Sequence, residues 1–137
     1  MKKYFRFIFL TLISILVLTA CGNASPSTTI NVTLTDFEFT PNTFTVPAGA
    51  QISFIAVNNG AVEHSFVIMK LGHEIKAKFT DADMPNIYWG ELSVMPGQTA
   101  TDTFTAPSEP GTYQVLCHMS GHFEAGMVAK LIVVASK

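Results

Sequence analysis

The chain has 137 residues and a formal charge of −2, from eight basic against ten acidic side chains, and two cysteines. Lys2, Lys3 and Arg6 precede an apolar run over 7–17, the charged-then-hydrophobic layout of a bacterial export signal. Loss of residues 1–20 leaves one domain's length, too short for two, and a charge of about −5, which argues against nucleic acid as a partner. No later apolar run approaches the length of a membrane span.

The leader ends in Leu18-Thr19-Ala20-Cys21, which resembles the lipobox of bacterial lipoproteins, where the cysteine takes a diacylglyceride and becomes the new N-terminus. The alternative makes Cys21 a late residue of an ordinary signal or of an uncleaved anchor. With Cys21 acylated, Cys117 has no partner within the chain, and an intramolecular disulfide is excluded. A loose thiol in an oxidising compartment is a liability, and metal ligation is the natural reason to keep one.

Residues 22–29 hold only small and polar types and read as a flexible tether from lipid to domain, which occupies 30–137. Ile30, Val32 and Leu34, then Phe37 and Phe39, alternate with polar residues, the period-two signature of a strand. Further short strands are expected over 43–46, 51–57, 65–69, 99–105, 112–117 and 128–134, separated by turns such as Pro47-Ala48-Gly49, Asn58-Asn59-Gly60, Pro96-Gly97 and Pro110-Gly111. About seven or eight strands of this kind predict an all-β, antiparallel sandwich or barrel. The charged stretch 70–92 breaks the rhythm, as a functional loop or as one containing a turn or two of helix. His73 within it reads as a solvated loop histidine.

The chemistry is concentrated in Cys117-His118-Met119-Ser120-Gly121-His122-Phe123-Glu124-Ala125-Gly126-Met127. A thiolate, an imidazole and a thioether stand four residues apart each time, and His64 adds a second imidazole from another strand. Soft sulfur beside imidazole suits copper better than magnesium or calcium. On a strand over 112–117, Tyr113, Val115 and Cys117 share the inward face, so the sulfur lies at the end of the core. Ser120-Gly121 supplies a turn that folds His122 back, and Gly126 lets Met127 return as the last strand begins. Singly, each of these residues has a plainer reading as core or surface; their conjunction makes the site. His118 points away from the face of Cys117 and is assigned to the surroundings of the site or to the surface. Met119 has little slack to turn back toward the sulfur and compete with Met127.

Phe39-Thr40-Pro41, the run from Phe44 to Gly49, the approach from Asn58 to His64, Pro96-Gly97, Pro110-Gly111-Thr112-Tyr113 and the loop into Gly126-Met127-Val128 together resemble the cupredoxin family of small blue copper proteins. The likeness covers nearly all of 32–134. The four-and-four spacing is most like auracyanin- and rusticyanin-type members, with plastocyanin-like members also similar. The resemblance implies a Greek-key sandwich with His64, Cys117 and His122 as equatorial ligands of one type 1 copper and Met127 as a long axial ligand. It also gives Ser65 a supporting role that ties the strand of His64 to the cysteine loop. His118 departs from the family, standing where a small or hydroxyl residue commonly follows the cysteine.

Such a site implies one-electron transfer between Cu(I) and Cu(II), with no open position for catalysis. The chain is therefore expected to be a carrier and not an enzyme, a monomer held at the extracytoplasmic face of a membrane by lipid on Cys21. Electrons would leave by the edge of His122 through an apolar patch including Ala61 and Val62. The expected partners are redox proteins such as cytochromes or membrane oxidoreductase complexes. Copper binding and delivery is the alternative; the scattered methionines, with no exposed Met-rich or His-rich tract, speak against it.

Overall fold

The computed structural model describes residues 25–136; the expected signal peptide and Cys21 lie outside them. Nine strands follow in chain order: β1 (Thr29–Thr35), β2 (Glu38–Thr40), β3 (Thr43–Pro47), β4 (Gln51–Asn58), β5 (His64–Met69), β6 (Ile87–Val94), β7 (Thr99–Thr105), β8 (Gly111–Leu116) and β9 (Val128–Val134). They form two sheets, ordered β2-β1-β4-β7 and β3-β9-β8-β5-β6. The chain passes between the sheets after β2, β3, β4, β6 and β7, which makes the all-β sandwich that the alternation predicts.

The sheets are mixed, which corrects the antiparallel expectation. β1 runs parallel to β4 and β3 parallel to β9, while the remaining neighbours are antiparallel. Neither parallel pair is joined by a hairpin: each brings together strands separated by an excursion to the other sheet, and side-chain alternation is the same for either direction. The strand count also exceeds expectation, because the end of the 70–92 stretch belongs to β6 and the opening alternating run divides into β1 and β2. β6 is an edge strand with a weak burial alternation, preceded by a 3-10 helix at Asp81–Asn86. The fold also reaches into the segment expected as tether. Thr29 begins β1, the Ser27 N–H donates to the Thr45 carbonyl, and the Thr28 carbonyl accepts from the Ser53 N–H.

The inward positions of both sheets fill one core. Phe66 lies at its centre, with the rings of Phe39, Phe44 and Phe54 packed against it at centroid distances of 5.5, 5.5 and 4.9 Å. Burying each such ring is worth about 1.5–3 kcal/mol. All six residues of β5 are buried, since a second cluster of Val67, Met69, Ile75 and Leu116, roofed by Phe79, Ile87 and Phe123, covers its other face. The strand that begins with His64 is thus clamped on both faces. Cys117 and Met127 belong to the main core, so the core extends without a break into the site.

Candidate metal centre

The approach to His64 is pinned by Asn58, a wholly buried amide. Its Nδ2 donates to the carbonyls of Val94 (2.7 Å) and Val62 (2.8 Å), and its Oδ1 accepts the Gly60 N–H at 2.8 Å. These bonds satisfy every polar atom of the amide's head and hold the 58–64 bend, so that β5 starts with the His64 ring facing the end of β8.

Cys117 follows directly on β8, whose ladder ends at Leu116, one residue short of the expected strand. Its N–H still donates to the Met127 carbonyl at 3.2 Å. Between them the loop winds back on itself. The His122 N–H donates to the Met119 carbonyl (3.0 Å), Ala125 to Gly121 (3.0 Å), Gly126 to Phe123 (2.9 Å) and Met127 to His122 (3.0 Å). Gly121 and Gly126 have φ of 85° and 99°, which L side chains rarely adopt, so the two turns foreseen at these residues exist because they lack a Cβ.

Three donors converge as a result. His122 Nδ1 lies 3.2 Å from His64 Nδ1 and 3.3 Å from Cys117 Sγ, and the ligand atoms of the three residues all fall within 4.8 Å of one another. First-row metals bind nitrogen at about 2.0–2.1 Å and thiolate at about 2.3 Å, so donors of one ion stand roughly this far apart. His64 and Cys117 are fully buried and His122 half-buried. The tautomer of His64 also suits ligation: its Nε2 lies 2.8 Å from Asp36 Oδ1, which places the proton there and leaves Nδ1 as a lone pair aimed at the other donors. His64, Cys117 and His122 form a group that can hold a metal ion, and the set of one soft thiolate and two imidazoles fits copper.

The surrounding contacts hold the donors in place. Cys117 Sγ accepts the Ser65 N–H at 3.3 Å and lies 3.4 Å from Ser65 Oγ, the link between the strand of His64 and the cysteine loop that the resemblance implied. Ser65 Oγ in turn accepts the His118 N–H at 2.9 Å and lies 2.7 Å from His118 Nδ1. His118, left between surface and surroundings of the site by strand alternation, is half-buried against Phe79 and part of this relay. Burial pushes the pKa of His122 down, with the neighbouring His64 adding to the effect; burial does the same to His118. Met127 is fully buried at the foot of the loop, and Met119 packs on the core, offering the loop its carbonyl. His73 is exposed, as its charged surroundings suggested.

Asp36 and Phe37 were not foreseen at the site. Both sit in the turn between β1 and β2, where their types read as ordinary turn and strand residues. The Ala61 N–H, at 2.9 Å from Oδ2, and the bond to His64 hold the Asp36 carboxyl below the usual carboxylate range. Phe37, 41% exposed, packs edge-on against His122 at a centroid distance of 4.7 Å and against His64 at 6.2 Å. Phe37 therefore gives His122 an apolar, partly exposed neighbour, and Ala61 and Val62 are exposed as well.

A nine-stranded mixed sandwich with a His-Cys-His group at one end of its core defines a class of mononuclear metal proteins. Residues 8–133 match the cupredoxin-like domain family, and the chain belongs to it. The chain is 32% identical over 115 residues to the copper-resistant cuproprotein CopI of Rubrivivax gelatinosus, covering 80% of this chain and 68% of that protein. Among solved structures, dithionite-reduced auracyanin from Roseiflexus castenholzii superposes with a TM-score of 0.69 at 31% identity, over 80% of this chain and 99% of that one. Auracyanin A, a blue copper protein of Chloroflexus aurantiacus, gives a TM-score of 0.65 at 28% identity, over 80% and 100%. The cofactor of this family is a single type 1 copper ion.

Proposed function

We propose that this chain carries single electrons between redox partners through one copper ion held by His64, Cys117 and His122, with Met127 as a weak axial ligand. The observation that supports it best is the convergence of two Nδ1 atoms and one sulfur at separations of 3.2 and 3.3 Å in a site fixed by hydrogen bonds. Copper bound there would alternate between Cu(I) and Cu(II), states whose preferred geometries differ. Donors locked by Asn58, Ser65 and the wound loop hold a compromise geometry for both, which keeps the rearrangement accompanying each transfer small. Met127, buried at the foot of the loop, would complete the donor set and leave no position for a substrate, which supports a carrier and not an enzyme. The electron's way out is the edge of His122 and the rim of Phe37, Ala61 and Val62, a small apolar surface of the kind that brief redox encounters use. A lipid on Cys21 would hold this monomer at the outer side of a membrane, near cytochromes or membrane oxidoreductase complexes.

Copper-loaded protein is expected to absorb intensely in the visible through thiolate-to-copper charge transfer and to bleach reversibly on one-electron reduction. Retention of both properties by Cys117→Ser would overturn the proposal. The similarity to a copper-resistant cuproprotein favours a second reading, copper binding and delivery. Chelator competition separates them: a carrier keeps its ion, whereas ready loss points to delivery.

A further inference from the structure

The turn between β1 and β2 reaches over the metal centre from the sheet opposite to that of His64. Asp36 uses both carboxylate oxygens there, Oδ1 at 2.8 Å from His64 Nε2 and Oδ2 accepting the Ala61 N–H at 2.9 Å. A further observation shows that room has been left for this bond. A Cβ built on Gly60 would stand 2.3 Å from Asp36 Oδ1, 2.8 Å from His64 Nε2 and 3.2 Å from Asn58 Oδ1. Real Cβ atoms essentially never come within 3.0 Å of such atoms, so any side chain at position 60 displaces the carboxylate or the ring. The φ of Gly60 is not positive, so the absence of a side chain there is a matter of space and not of backbone conformation.

We propose that Asp36 is a positioning residue for the copper site: it fixes His64 as the Nε2–H tautomer with Nδ1 aimed at the ion, and its negative charge lowers the reduction potential, while Gly60 keeps the contact open. The inference rests on His64 being a ligand. A carboxylate behind a ligating imidazole makes it more electron-donating and orients the ring. The same charge favours the more positive, oxidised ion over the reduced one, which sets the sign of the potential shift. A merely structural Asp36 would cap the 58–62 bend through the Ala61 N–H and do nothing more.

Three variants separate these roles. Asp36→Asn keeps an acceptor and removes the charge, Asp36→Ala removes both, and Gly60→Ala leaves the carboxylate but fills its space. In wild type, nitrogen-resolved NMR of the metal-free protein and of the diamagnetic reduced copper form should show a slowly exchanging proton on His64 Nε2. Asp36→Asn should keep that proton and raise the midpoint potential. Asp36→Ala and Gly60→Ala should lose it and raise the potential, with copper bound about ten- to a hundredfold more weakly. Glu38→Gln, an exposed carboxylate in the same hairpin, should shift the potential less than Asp36→Asn. Wild-type proton exchange, potential and copper affinity in Asp36→Ala, or a lowered potential in Asp36→Asn, would overturn the inference. If Gly60→Ala fails to fold, the two Asp36 variants decide. Wild type that takes up copper without charge-transfer colour would sink the electron-carrier reading alone, since the tautomer of metal-free His64 still reports on Asp36.

Discussion

Ser65 donates to the Cys117 sulfur from both its backbone N–H and its side-chain hydroxyl. Donors to a thiolate draw charge from it, weaken its donation to the oxidised ion and favour the reduced one. Ser65→Ala removes the hydroxyl and leaves the N–H, so it should lower the potential by up to about 60 mV, the one-electron equivalent of a hydrogen bond worth about 1.4 kcal/mol. Mediated redox titration checks this, and the sign is opposite to that expected for Asp36→Asn. Cys117, His122 and His64 were legible in the sequence because a cysteine without a disulfide partner stood with imidazoles at suitable offsets. Asp36 was not, since an acidic residue in a turn is ordinary turn composition and its partner lies 28 positions away. Gly60 was hidden for the same reason: its meaning is the space it leaves for two side chains that the sequence does not place together.

Among the elements, the loop from Cys117 to Met127 was the most legible, because its two left-handed positions both fall on glycine. Gly126→Ala forces a Cβ onto a φ of 99° and should destabilise the metal-free protein by about 1–2 kcal/mol, measured by denaturant unfolding. β6 was illegible for a physical reason. An edge strand pairs on one side only and need not bury alternate residues, so charged and apolar positions mix. The parallel pairing of β1 with β4 and of β3 with β9 was equally hidden, since partners are chosen by the crossings between sheets and leave no mark on the pattern within a strand. β5 shows the converse: its continuous apolar run is explained by burial on both faces.

For the whole molecule, the site and the core are one body, since Cys117 and Met127 pack with Phe66 and its neighbours. The assembled donors exist only in the folded chain, so a bound ion stabilises the fold by mass action, about 4 kcal/mol at a thousandfold excess over the dissociation constant. Calorimetry should find copper-loaded protein melting more than about 10 °C above the metal-free form, with most of that gain absent in His64→Ala. The lone tryptophan offers an independent view of the same transition. Trp89 on β6 stacks on Phe104 of β7 at 4.3 Å and meets Phe54 of β4 at 5.0 Å, so one indole bridges the two layers. Its fluorescence is therefore a built-in gauge of their parting, and recording it alongside the visible band would tell whether the sandwich opens before the metal departs or only afterwards.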